Sequence, residues 1–151
     1  MSLNYPVAEM TAEMGERYRS IAMANYEFWK ATCSAEDAQK AKDQNNALKE
    51  NPAAIAEVMA EIASDFASCD TDGDSRLNLE EYRAFLAAAK ARADAKGQWY
   101  SRPDTYAEDT YALYNGMNPE CDGFTHEQWM SYMGKFMAIY REIAAADGQQ
   151  V

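Results

Sequence analysis

Three aspartates at alternate positions, Asp70, Asp72 and Asp74, are followed seven residues later by Glu81, with Arg76 and Asn78 between them. Carboxylates and amides are hard oxygen donors, and this spacing suits one kind of chemistry. A hard dication such as calcium takes six to eight oxygens at about 2.3 to 2.6 Å, and a loop of 12 residues supplies them from positions 1, 3, 5, 7, 9 and 12. Counted from Asp70, the aspartates fill positions 1, 3 and 5. Arg76 offers its backbone carbonyl at position 7, Asn78 acts directly or through water at position 9, and Glu81 closes the shell as a bidentate ligand at position 12. A frame starting at Asp72 puts Arg83 at position 12, and a guanidinium has no acceptor to close an oxygen shell. The competing reading is an acidic helix-capping turn, because Asp and Gly favour turns and acids favour helix N-termini. That reading leaves the alternating aspartates and the closing glutamate unexplained.

The elements around this loop follow from apolar spacing. Val7, Met10, Met14, Tyr18, Ile21, Phe28 and Trp29 recur at three- and four-residue steps, and Pro6 is a helix-entry residue. They predict a helix over residues 7–32. Ser34 with an acid three residues on predicts a second, largely exposed helix. Asn51-Pro52 breaks the chain and opens a third, whose stripe is Ile55, Val58, Met59, Ile62 and Phe66. After the acidic loop a fourth runs to about residue 95; a linker over residues 97–103 leads to helices near 104–117 and 125–146.

Helix, acidic loop and helix, with D-T-D-G-D-S-R-L-N-L-E-E between the apolar flanks Phe66, Tyr82 and Phe85, resemble the EF-hand superfamily, of the calmodulin-like or sarcoplasmic calcium-binding kind. The family usually carries Gly at loop position 6, where φ is positive; here it is Ser75, at a cost of about 1 to 2 kcal/mol. The resemblance implies one bound calcium ion, with magnesium as a competitor, and a short strand contact from Leu77 at position 8. FTHEQW, ending at Trp129, aligns with LNLEEY and marks a degenerate second hand. Aligned on its exit, that loop has Met117, Pro119, Cys121 and Gln128 at positions 1, 3, 5 and 12. Aligned on its entry, it has Asn118, Glu120, Asp122 and Trp129 there, with Gly123 at position 6. The one-residue difference between the frames predicts a shortened loop with a packing role and little metal affinity, its Phe124 meeting Leu77.

The expected architecture is all-α. An N-terminal helical segment (residues 1–50) packs on an EF-hand pair (51–146; first hand about 53–95, second about 104–146), and a tail follows (147–151). The N-terminal segment is either a degenerate hand of its own or a cover that lays Phe28, Trp29 and the methionines over the pair. Met130, Met133 and Met137 on the last helix, with Phe136 and Tyr140, suit either core packing or a groove for an amphipathic helix of a partner protein. Trp99 and Tyr100 mark a docking face or ordinary packing.

A net charge of −11 repels nucleic-acid backbones and anionic lipid. No stretch approaches the 18 apolar residues of a membrane span, and the N-terminus lacks a basic, apolar leader, with Ser2 in place of a myristoylated Gly. Cys33, Cys69 and Cys121 are odd in number and widely spaced, which suits reduced thiols in a cytoplasmic protein. His126 is the one histidine, expected to face solvent; it and Cys121 lack a third triad member, and no phosphate loop or nucleophile elbow is present. The expected function is therefore non-enzymatic: a calcium sensor or signal modulator, with a calcium buffer or a calcium-stabilised structural subunit as the alternatives.

Overall fold

Five of the six helices among the described residues start on a side chain that caps them, so most boundaries are set locally. The computed structural model of the protein describes residues 7–149. It is all-helical: α1 (Ala12–Thr32), α2 (Ala35–Lys49), α3 (Pro52–Cys69), α4 (Leu79–Ala95), α5 (Tyr106–Gly116) and α6 (His126–Ala146). The expectations resting on Ser2 and Pro6, and the end of the tail, lie outside the described residues. None of the helices is long and apolar enough to cross a membrane.

The first helix begins at Ala12 rather than residue 7, because the Thr11 hydroxyl accepts from Met14 N at 3.2 Å and ends the extended entry there. The entry segment instead straps onto α6: Ala8 N donates to the Tyr132 hydroxyl at 2.9 Å, and Lys135 Nζ donates to Ala8 O at 3.4 Å. Between α1 and α2 stand only Cys33 and Ser34. Two residues are too few for an ion-binding loop, so of the two expectations for the N-terminal pair the short turn fits a packing cover.

That cover is α1, laid along α6 and touching α5. Its buried face is Tyr18, Ala22, Asn25 and Tyr26, with Met14, Ile21 and Trp29 at its margins. The sequence pattern included Tyr18 but missed Ala22, Asn25 and Tyr26. Met130, Met133 and Met137 are half-buried and packed against the core. At the far end the Tyr26 hydroxyl donates to Asp147 Oδ2 at 2.7 Å and Lys30 Nζ to the same oxygen at 3.1 Å.

The centre is aromatic. Tyr82 meets Phe124 edge-on at 5.2 Å, Phe85 meets Trp129 at 5.0 Å, and Phe66 meets Phe85 at 5.6 Å. Each such pair contributes about 0.5 to 1.5 kcal/mol beyond its area, so these rings lock α3, α4 and α6 together. The expected stripe of α3 is covered only in part: Phe66 is buried, while Ile55 and Met59 are exposed. The reason lies in α2, which packs beside α3 and has no buried residue of its own, its side chains being mostly short or polar. Arg92 pairs with Glu61 and Asp65 and Lys96 with Glu61, tying the end of α4 back to α3.

Candidate metal centre

The loop between α3 and α4 spans residues 70–78, and α4 opens on a capping box. Asn78 Oδ1 accepts from Glu81 N at 2.9 Å while Glu81 Oε1 accepts from Asn78 N at 3.0 Å. This reciprocal pair satisfies two orphan donors of the helix start. It also holds Glu81, 5 % exposed, with its other oxygen reaching back to the loop entry. Glu81 Oε2 accepts from Thr71 N at 2.8 Å and from the Thr71 hydroxyl at 3.1 Å.

The aspartates are held by backbone donors of the same loop. Ser75 N donates to Asp70 Oδ2 at 2.9 Å, Asp74 N to Asp72 Oδ1 at 3.2 Å, and Arg76 N to Asp74 Oδ1 at 2.8 Å. Each carboxylate thus has one oxygen fixed by the chain. Asp70 Oδ1 is buried with no hydrogen-bond partner. A ligand oxygen from each of Asp70, Asp72, Asp74 and Glu81 lies within 4.8 Å of the others. No second group of this kind forms among the described residues.

The loop bends where the sequence reading placed its strain. Ser75 has φ +68°, and Gly73 φ +70°. The Asp74 carboxyl is pushed up by burial and by the neighbouring Asp72 and Asp70 carboxylates; that of Asp72 is held down, chiefly by the Asp74 backbone N–H. The Asn78 side-chain oxygen is engaged in capping α4, which favours a water-mediated over a direct role at position 9. Arg76 follows at position 7, its backbone N–H spent on Asp74.

Thr71 escaped the sequence reading. Its position between two candidate ligands was visible, but that its N–H and hydroxyl both grip the closing glutamate depends on the chain doubling back, which spacing does not reveal.

The second loop corrects the expectation of a shortened hand. Residues 117–125 separate α5 from α6, and residues 70–78 separate α3 from α4, nine in each case. Thr125 and Gln128 repeat the Asn78 and Glu81 capping box: Gln128 N donates to Thr125 Oγ1 at 3.1 Å and Thr125 N to Gln128 Oε1 at 3.0 Å. The exit frame therefore holds, with Met117 where Asp70 stands, Gln128 where Glu81 stands and Phe124 opposite Leu77 as an antiparallel bridge. Asn118, Glu120 and Asp122 do not converge. Asn118 is buried, its Oδ1 accepting from Gln128 Nε2 at 3.2 Å and from the Tyr132 hydroxyl; Glu120 is exposed; Asp122 accepts from Tyr111. An amide–hydroxyl network of neutral groups, Asn118, Gln128 and Tyr132, links this loop to α6.

His126 is likewise not the solvent-facing residue expected. Its ring packs 5.2 Å from Phe66 and stacks on Trp129 at 6.2 Å, and it is half-buried. Cys33, Cys69 and Cys121 are free and half-buried, and burial raises the thiols of Cys33 and Cys69.

Comparison of the chain with known protein families, curated proteins and solved structures finds no match in any of the three.

Proposed function

We propose that this protein binds one calcium ion through Asp70, Asp72, Asp74 and Glu81, with the backbone of Arg76 and a water on Asn78 completing the shell, as a closed EF-hand protein. The observation that carries the reading is the convergence of four carboxylates within 4.8 Å around the buried, unpartnered Asp70 Oδ1. A buried acceptor without a partner costs about 1 to 3 kcal/mol, and crowded like charges add repulsion to it. An all-oxygen, mostly anionic donor set suits a hard dication, with magnesium as its competitor. The neutral network of Asn118, Gln128 and Tyr132 supports a silent second hand.

The functional class follows from what covers α6. In a sensor the apolar face of the last helix receives a partner helix; here Tyr18, Ala22 and Tyr26 of α1 occupy that region. This favours a buffer, or a modulator whose bound ion sets the stability of the fold, over a sensor that presents a groove. No catalytic step is assigned. The free thiols and acidic charge suit a reducing, cytoplasmic setting.

Calorimetric titration of calcium and of magnesium into wild type and Glu81→Gln, with 1-anilinonaphthalene-8-sulfonate fluorescence in parallel, tests this. One calcium per wild-type chain, lost in the variant, without a calcium-dependent rise in fluorescence is expected. A fluorescence rise would restore the sensor, and absence of binding in wild type would overturn the ion site.

A further inference from the structure

A cavity of about 620 Å³ lies where α1, α2 and the start of α3 meet the linker and α6. Its size is that of a small-molecule site. The floor is apolar and aromatic: Phe28 and Trp29 from α1, Leu48 from α2, and Phe136, Met137 and Tyr140 from α6.

The charge of its wall runs against that of the protein. The chain carries 25 acidic and 14 basic residues, yet no Asp or Glu lines the cavity, and Lys42, Arg92, Lys96 and Arg102 all do. Two of these cations are committed, Arg92 to Asp65 and Glu61 and Lys96 to Glu61. Lys42 and Arg102 form no ion pair among the described residues. Both line the cavity and are exposed to solvent. The Arg102 guanidinium is also oriented, lying over Tyr100 at 4.6 Å and Tyr106 at 5.4 Å from the ring centres. A planar fork held on aromatic faces is preorganised for a carboxylate.

We propose that this cavity binds a small amphipathic monoanion, a carboxylate on an apolar chain or ring. Its head lies between Lys42 and Arg102 and its body against Trp29, Leu48 and Phe136. The volume fits such a molecule and not a peptide helix, and the missing acids remove the repulsion that the rest of the surface would exert. The site is independent of the calcium reading, sharing no residue with the acidic loop.

The test uses dodecanoate and indole-3-acetate as aliphatic and aromatic carboxylates, and dodecyltrimethylammonium as a cation with the same tail as the first. All are titrated below their micelle-forming concentrations into the full chain, with and without calcium. Calorimetry gives the stoichiometry, and emission from Trp29 and Trp99, both in the wall, reports occupancy. Overall charge favours the cation, so a preference for the carboxylate isolates the local site. One carboxylate per chain is expected, with the cation at least about tenfold weaker. The Lys42→Gln, Arg102→Gln double variant should lose about tenfold in carboxylate affinity, while Lys42→Arg, with Arg102 left in place, keeps it, with circular dichroism unchanged in both. Tighter binding of dodecanoate assigns the site to acyl chains, and of indole-3-acetate to aromatic acids. Equal binding of both head charges, an unaffected Gln variant, or saturable binding by neither carboxylate would overturn the proposal.

Discussion

Leu77 and Phe124 exchange both backbone hydrogen bonds, Leu77 N to Phe124 O at 3.0 Å and Phe124 N to Leu77 O at 3.4 Å. The loops over residues 70–78 and 117–125 are thus one unit. The four-carboxylate cluster is braced by a loop that has Met117, Pro119, Cys121 and Gln128 at the matching positions.

The glycine beside this bridge is the most tightly enclosed of the seven. Gly123 has φ +99°, and a Cβ there would stand 2.3 Å from Leu77 O. Both the backbone conformation and the space exclude a side chain. Gly123→Ala is expected to destabilise the protein by about 2 kcal/mol or more, seen as a lower midpoint in urea, and to weaken calcium binding by displacing Leu77. A variant with unchanged midpoint and affinity would mean that the two loops are not mechanically joined.

Ser75 makes the opposite case. Its φ of +68° costs about 1 to 2 kcal/mol for an L-residue, while glycine would add unfolded-chain entropy worth roughly 0.5 to 1 kcal/mol. The strain is the larger quantity. Its backbone N–H on Asp70 Oδ2 survives the change. Ser75→Gly is expected to raise the melting temperature by a few degrees and to tighten calcium; a lower melting temperature with weaker calcium binding would show that the strain is not released.

Much of this arrangement is legible in the sequence because it rests on local chemistry. Ser34 and Asn51-Pro52 announce two helix starts, and the alternating aspartates with Glu81 announce the loop. The Leu77 and Phe124 pairing follows from aligning the two exits. What is hidden depends partly on caps that apolar spacing does not weigh and partly on tertiary contacts. Thr11 starts α1 at Ala12 rather than residue 7 by a single hydroxyl. Asn118, Glu120 and Asp122 have the right atoms for a shifted loop, but the Thr125 and Gln128 box sets the register and leaves them dispersed. Ile55 and Met59 look like core until the helix beside them proves too polar to cover them. The cavity with Lys42 and Arg102 joins residues 60 positions apart, which no local pattern signals.

Placing a carboxylate at Gln128 in the second loop should not create a metal site. Gln128 Nε2 donates to Asn118 Oδ1, which also accepts from Tyr132, whose hydroxyl in turn accepts from Ala8 N. Gln128→Glu removes the donor and buries a charge against an acceptor. Turning the Asn118 amide would repair that contact only by depriving Tyr132 of its acceptor. A loss of about 1 to 3 kcal/mol is expected, with calorimetry still reading one calcium per chain because Met117, Pro119 and Cys121 offer no side-chain carboxylate. Two calcium ions per chain would show that position 12 alone silences this hand.

The clasp of Tyr26, Lys30 and Asp147 contributes a pH dependence to the cover. Burial and the hydrogen bond to Asp147 push the Tyr26 hydroxyl from 10.0 up to about 12. A folded value above the unfolded one means that the native state keeps its proton longer. The contribution is therefore complete below pH 10 and disappears as pH rises toward 12. At the acid end the bonds from Tyr26 and Lys30 hold the Asp147 carboxyl below its ordinary 3.8, so its contribution is present above that value and fades as pH falls through it. Tyr26→Phe removes the phenol from both limbs. It is expected to flatten the decline in stability between pH 10 and 12 and also the decline below pH 3.8, since Asp147 then keeps only Lys30 and its carboxyl is held down less. Equilibrium urea unfolding of wild type and variant across pH 2.5 to 12 measures both limbs. Parallel curves over the whole range would show that the Tyr26 hydroxyl does not couple α1 to the end of α6.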